Sequence, residues 1–283
     1  MSADPAYDQK VSPVLGTPPG PVLLLGATGT IGRAVLKALL EAGLEVTCVL
    51  RHAPRAELGF DHPRLNLRIG DMASDAFWQE TVAGISHVVS CLASRSGAPD
   101  DAWAVDYGIN STVLGACKAQ CVEHFVLLSA ICVQRPKLAF QKAKLAFETE
   151  LIASGLSYSI VRPTAFFKSL SGQLRRVQAG KSFLVFGDGT LTACKPISDA
   201  DLARFILRCL TEPACRNRVL PVGGPGPALT PMEQGALLFE ALGQVPKVRR
   251  VPVTVLSGII GLLQAVGMFS QKARDKAELV IDD

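Results

Sequence analysis

Six short apolar runs punctuate the first 165 residues, separated by turn residues and by stretches with apolar positions at helical spacing. The first, 22–25, is four consecutive apolar residues that break into Gly26-Ala27-Thr28-Gly29-Thr30-Ile31-Gly32. An uninterrupted apolar run reads as a strand buried on both faces, which is the habit of parallel sheets. Apolar residues then recur at helical spacing over 31–42 and stop at Gly43. Further strands are expected at 45–50, 65–72, 87–93, 125–130 and 158–164. A polar loop covers 94–101, and helices are expected over about 103–119 and around Phe140, Gln141, Lys144, Phe147 and Glu148. One helix per crossover predicts an α/β fold, a doubly wound parallel sheet of Rossmann type with right-handed connections.

The glycine spacing gives the first run its chemistry. Gly26 permits the tight turn, Gly29 lets backbone approach a phosphate, and Gly32 lets the helix pack close to the strand. The helix N-terminus then presents free N–H groups and partial positive charge to a pyrophosphate. Thr28, Thr30 and Ile31 belong to the same cradle. The second strand ends at Arg51, with Arg55 shortly after. An acid there would accept from a ribose 2′-OH; an arginine meets a 2′-phosphate, so NADPH is expected over NADH. The plainer reading of Arg51 is a solvated surface charge. Asp71 and Met72 end the third strand on the adenine side, where Asp71 also suits a helix N-cap. Cys91, Leu92 and Ala93 end the fourth, over the cofactor, because ligands sit at the carboxyl ends of such strands.

Composition narrows the field. Of 283 residues, 48% are hydrophobic and 19% charged, and the net charge of +4 is spread out, so no nucleic-acid partner is indicated. Eight cysteines form no CxxC pair and mostly lie in apolar runs, which reads as small buried hydrophobes in a reducing compartment. Cys117 and Cys121 share a helix face but lack companion ligands, and no metal site is expected. Residues 1–20 read as a flexible leader, acidic and Arg-free, without the apolar core of a secretory signal and unlike a transit peptide. Residues 21–222 are expected to form the NADPH-binding domain and 223–283 a small helical, substrate-side region.

The glycine turn, the serine at 129 ending strand five, the lysine at 144 on the next helix and the strand ending VRPT together resemble the short-chain dehydrogenase/reductase superfamily, in its atypical or extended branch. That likeness covers roughly 21–235. Longer strings are similar to the NADPH-dependent 3,8-divinyl (proto)chlorophyllide 8-vinyl reductases: VVSCLASRSG, HFVLLSAICVQRPKLAFQKAKLAFE, YSIVRPTAFFKSL, VFGDG, CKPISDADLARFI and LPVGGPGPALTPMEQG. The resemblance implies hydride transfer from NADPH to the 8-vinyl group of a divinyl chlorophyllide or protochlorophyllide. It implies a cytoplasmic setting in a photosynthetic bacterium, and a chain longer than one ending at Asp283.

Superfamily members acting on alcohols and ketones carry Tyr-x-x-x-Lys, but here Phe140 stands four before Lys144. Phenylalanine cannot donate a proton, so ordinary carbonyl chemistry is disfavoured and a conjugated vinyl group suits the site. Lys144 is the catalytic candidate. It either only holds the nicotinamide ribose, the favoured role, or also stabilises charge or relays a proton. Ser129, without its tyrosine partner, reads as a cofactor contact, as do Pro163, Thr164 and Phe166 after strand six. Phe140, Phe166 and Phe167 are candidates to face the macrocycle. Lys168 and Arg175 are candidates to pair with a propionate.

Toward the C-terminus, residues 253–269 run without a charge, interrupted by Ser257 and Gln264. Three readings stay open: a buried lid helix, an interfacial helix giving peripheral membrane association, and a transmembrane anchor. The competing function is a non-catalytic, NADPH-sensing or assembly protein of the NmrA-like kind, which keeps the glycine turn and loses the tyrosine. An extended-branch epimerase is disfavoured by the missing tyrosine.

Overall fold

The computed structural model describes residues 20–53, 61–167 and 171–252. Nearly all of the expected leader, Arg55, Lys168 and the apolar run 253–269 lie outside the described residues.

The chain folds as a seven-stranded, wholly parallel sheet between two helical layers. Its strands are β1 (Val22–Leu25), β2 (Val46–Leu50), β3 (Leu65–Ile69), β4 (His87–Ser90), β5 (His124–Leu128), β6 (Ser157–Pro163) and β8 (Arg218–Val222). Their spatial order is β3-β2-β1-β4-β5-β6-β8. The order reverses at β1/β4, the crevice where such sheets bind ligands. In β1 all four residues are buried, Val22 and Leu24 on one face, Leu23 and Leu25 on the other. A period of two with both faces covered is what makes the run read as continuously apolar.

On the first face, α1 (Thr30–Glu41) lies against a long helix, Asp199–Thr211, and the two set Val35, Leu39, Leu202 and Ile206 on the sheet. On the second lie α2 (Asp75–Val82), α4 (Asn110–Ala119) and α5 (Ala139–Ala153), which bury Trp78, Val113, Phe147 and Leu151. A separate small core gathers Val177, Phe183, Val185 and Phe239 around a parallel two-stranded sheet of β7 (Phe183–Phe186) and β9 (Val248–Val251). It thus draws on segments either side of Val222.

Three local expectations change. The helix expected from 103 begins earlier, as α3 (Pro99–Ala102), passes through a π-helical turn over Trp103–Ile109, and continues as α4. Cys121 falls beyond the end of α4 with φ of 55°, so it shares no helix face with Cys117. The N-cap of α2 is Ser74, whose hydroxyl accepts from the Phe77 N–H; Asp71 instead accepts from the Ala73 N–H at 2.9 Å.

Candidate active site

The glycine turn separates the needs of folding from those of ligand binding. Gly26 has φ of +78°, and a Cβ on it would stand 2.5 Å from the Cys91 carbonyl oxygen. On Gly32 a Cβ would stand 2.1 Å from the Gly26 oxygen, so this glycine lets α1 seat against the turn. Gly29 is exposed, has an ordinary φ of −72°, and a Cβ there would meet only the Gly26 oxygen at 3.3 Å. Packing therefore explains Gly26 and Gly32, whereas Gly29 keeps open the surface above the N-terminus of α1. Unpaired first-turn N–H groups and the helix dipole make that surface an anion cradle, so the residues present fit a dinucleotide pyrophosphate.

Beside the turn, the ends of β4, β5 and β6 open into a cavity of about 870 Å³. Cys91, Leu92 and Ala93 line it from β4, Ser129 from β5, and Pro163, Thr164 and Phe166 from β6. Phe140 and Lys144, one turn apart on α5, line it together. The structure thus brings nine of the sequence candidates onto one cavity wall. Arg51, exposed after β2, and Asp71 and Met72, after β3, stand along the same sheet edge beyond β1. Phe167 is exposed and Arg175 lies on a short helix (Leu174–Gln178); neither lines the cavity.

Lys144 is the most constrained group on the wall. Its side chain is 9% exposed, its Nζ lies 2.9 Å from Asp106 Oδ1, and it donates to the Leu92 carbonyl at 3.2 Å. An ammonium has three donors; with one on the Leu92 carbonyl and the ion pair to Asp106, at least one remains for a group in the cavity. Asp106 was missing from the sequence reading. It sits, fully buried, inside the π-helical turn, accepts from the Ser94 N–H at 3.2 Å, and through its own carbonyl receives Asn110 Nδ2 at 3.0 Å. Asn110 accepts in turn from the Ser90 hydroxyl at 2.6 Å. The π turn, a feature frequent at functional sites, thus carries the counter-ion of Lys144. A signal existed: Asp106, Asn110, Val113 and Cys117 are spaced to share one helix face, and all four are buried. Two polar residues continuing an apolar stripe mark a buried network.

Ser129 has its hydroxyl proton committed to Glu148, whose buried carboxylate is also gripped by Arg162 Nε at 3.1 and 3.2 Å. Ser129 can accept from a ligand but has no proton to give it. Nor does the wall offer a thiolate at Cys91: burial pushes its thiol up to about 12, despite the opposing charge of Lys144. Among the described residues, no group of three or more His, Cys, Asp or Glu could hold a metal ion, and no helix is long and apolar enough to cross a membrane.

Comparison with known proteins agrees with this geometry. Residues 26–213 match the NAD(P)H-binding family. The chloroplastic divinyl chlorophyllide a 8-vinyl-reductase of Oryza sativa subsp. indica is 46% identical over 276 residues, 91% of this chain and 67% of that protein. The chain spans about two thirds of the length of the curated relatives it matches. The photosystem II assembly factor Ycf39 of Cyanophora paradoxa is 28% identical, over 83% of this chain and 73% of its own. Among solved structures, the NADPH-dependent quinone oxidoreductase QOR2 of Escherichia coli, complexed with NADPH, superposes with a TM-score of 0.71 at 18% identity, covering 92% of this chain and 88% of that one. The last likeness establishes the fold.

Proposed function

The chain belongs to the NAD(P)H-binding family and, within it, to the divinyl chlorophyllide 8-vinyl-reductases, and from that premise we propose that it reduces the 8-vinyl group of a divinyl chlorophyllide or protochlorophyllide to ethyl, with NADPH as donor. The observation that carries the chemistry is Phe140. It occupies the cavity wall one turn before Lys144, where a carbonyl reductase of this fold presents a proton-donating tyrosine. No oxyanion needs protonating when a vinyl group conjugated to a macrocycle is reduced, because the developing charge spreads into the ring.

NADPH, when bound, would supply the hydride, and a proton taken from solvent would quench the charge spread into the macrocycle and complete the ethyl group. The chain's own residues bind and orient. Gly26 to Ile31 hold the pyrophosphate on the N-terminus of α1. Arg51 receives the 2′-phosphate, and Asp71 and Met72 border the adenine. Lys144 uses its remaining donor on the nicotinamide ribose, steadied by Asp106. Leu92, Ala93, Ser129, Pro163 and Thr164 border the nicotinamide, and the rings of Phe140 and Phe166 face the pigment. The mostly apolar wall keeps the reacting carbon dry. Peripheral membrane association through 253–269 belongs to the same proposal, supported by the uncharged run and by an apolar pigment substrate.

The test is direct. The protein is incubated with NADPH and either divinyl pigment, and a blue shift of the Soret band reports loss of the 8-vinyl group. Bound NADPH without a shift on either pigment overturns the reductase reading. It would favour an assembly role, the one suggested by the 28% identity to an assembly factor.

A further inference from the structure

Three cations line the cavity: Lys144, Arg95 and Lys195. Lys144 is neutralised by Asp106 at 2.9 Å. Arg95 belongs to the loop after β4, where its N–H and that of Ser96 donate to Asp101 Oδ2, each at 3.0 Å. Arg95 follows β4, next to β1 and the glycine turn in the sheet order, so it stands on the cofactor side of the cavity. Lys195 is different. It lies beside the ends of β6 and β8, away from the glycine turn; like the Arg95 side chain it takes part in no ion pair between described residues, so what sets it apart is its place at the far end of the cavity.

The backbone beneath Lys195 is unusually well fixed. Its carbonyl accepts from the Thr164 hydroxyl and from the Gly224 N–H at 3.2 Å. On one side Cys194 and Leu229 exchange backbone hydrogen bonds, at 3.1 and 2.7 Å; on the other the Ile197 N–H donates to Ala165 at 3.1 Å. Gly223 and Gly224 make this approach possible. A Cβ on the first would stand 2.9 Å from Lys195 Cβ, and on the second 1.9 Å from the Pro196 oxygen. Ala193 and Ala228 line the cavity beside it with minimal bulk. An exposed lysine on the wall of a mostly apolar cavity, its backbone held in this way and with no ion pair among the described residues, suits an anion.

We propose that Lys195 binds the propionate carboxylate of the tetrapyrrole and thereby sets which end of the macrocycle enters the site. The inference rests on the reductase reading above. A divinyl chlorophyllide carries its free acid on the ring opposite the one bearing the 8-vinyl group. Anchoring the acid near β6 and β8 therefore turns the vinyl-bearing ring inward, toward Lys144 and the glycine turn. Lys195 is the carboxylate partner on the described wall, where Arg175 does not reach the cavity; Lys168 lies outside the described residues.

The experiment compares the free acid with its 17-propionate methyl ester, measuring pigment binding by absorbance titration and reduction by the Soret shift, at fixed saturating NADPH. With the unaltered protein, the acid is expected to bind about tenfold or more tightly than the ester, the size of one hydrogen bond to a charged group. Lys195→Gln should lose that margin for the acid and leave the ester's affinity where it was; Lys195→Arg should restore most of it. Equal weakening of acid and ester in Lys195→Gln, or an unaltered protein indifferent to esterification, overturns the proposal. If the unaltered protein binds both pigments with the tenfold margin but reduces neither, the carboxylate seat stands and the reductase reading falls.

Discussion

At the scale of single residues, the site turns on one buried ion pair. Removing Asp106 leaves an ammonium in a poorly solvated wall, and breaking a buried pair typically costs about 3–5 kcal/mol. Asp106→Asn should therefore destabilise the protein by about that amount, measured by urea unfolding. Lys144→Met in the Asp106→Asn background should recover part of the loss, because the orphaned charge is gone. Additive effects in that cycle would mean that the two groups do not feel each other in the fold. For turnover, Lys144→Ala should lower kcat/KM about a hundredfold, the scale expected when a positioning contact at the reacting group is lost. Phe140→Tyr should bring no gain. Full turnover by Lys144→Ala would refute the cofactor placement. Lys144 was legible because its spacing from position 140 is local; the helical spacing of Asp106 with Asn110, Val113 and Cys117 marks a buried acid, but its pairing with Lys144, 38 residues away, is not written in any local spacing.

At the scale of elements, the strand–turn–helix unit of β1 and α1 makes a sharper prediction than its motif does. Gly29→Ala places a methyl group where only the Gly26 oxygen at 3.3 Å is near, so the fold should persist while NADPH binding weakens at least tenfold. Gly32→Ala puts a methyl group 2.1 Å from that same oxygen, so α1 must shift off β1 and stability itself should fall. Thermal melts and NADPH fluorescence titrations on the two variants separate these effects; a stable Gly32→Ala that binds normally would contradict the packing. At the end of β2, Arg51→Ala should raise KM for NADPH about tenfold or more while sparing NADH, since only the phosphorylated ribose offers a charged acceptor. Equal effects on both cofactors would remove Arg51 from 2′-phosphate recognition. These elements were readable because β1 and most of β5 are buried on both faces and so appear as apolar runs, while β4 keeps an apolar pair, Val88 and Val89, between buried His87 and Ser90. The π turn was not, since nothing in Trp103–Ile109 breaks helical periodicity; the widened turn shows only in the backbone. The Lys195 segment was equally opaque, held by pairings with residues 164–166, 224 and 229 that no local spacing announces.

At the scale of the whole molecule, the sheet has two unlike edges. Its carboxyl end is the open site; its amino end is sealed over two imidazoles. His87 and His124 face each other in register at the starts of β4 and β5, ring centroids 6.3 Å apart. His124 is fully buried between the Ser157 and Ser159 hydroxyls at 2.9 and 3.0 Å. Burial, then the charge of Arg216, then His87 itself, lower its pKa to about 4. Burial likewise lowers that of His87. The folded protein therefore keeps His124 neutral, whereas the unfolded chain protonates it near 6.5. Above pH ~6.5 neither state gains a proton there and nothing is lost. Below it the unfolded chain takes up a proton that the fold refuses, and stability drops by about 1.4 kcal/mol per pH unit until the folded group titrates near 4. By pH 5 the loss from this one site is about 2 kcal/mol, a large share of a typical folding free energy. The urea midpoint should accordingly fall between pH 7.5 and pH 5. His124→Gln should start lower at pH 7.5, having lost part of the serine network, and then decline less steeply. Parallel declines in the two proteins would move the acid sensitivity away from His124, to groups elsewhere in the fold.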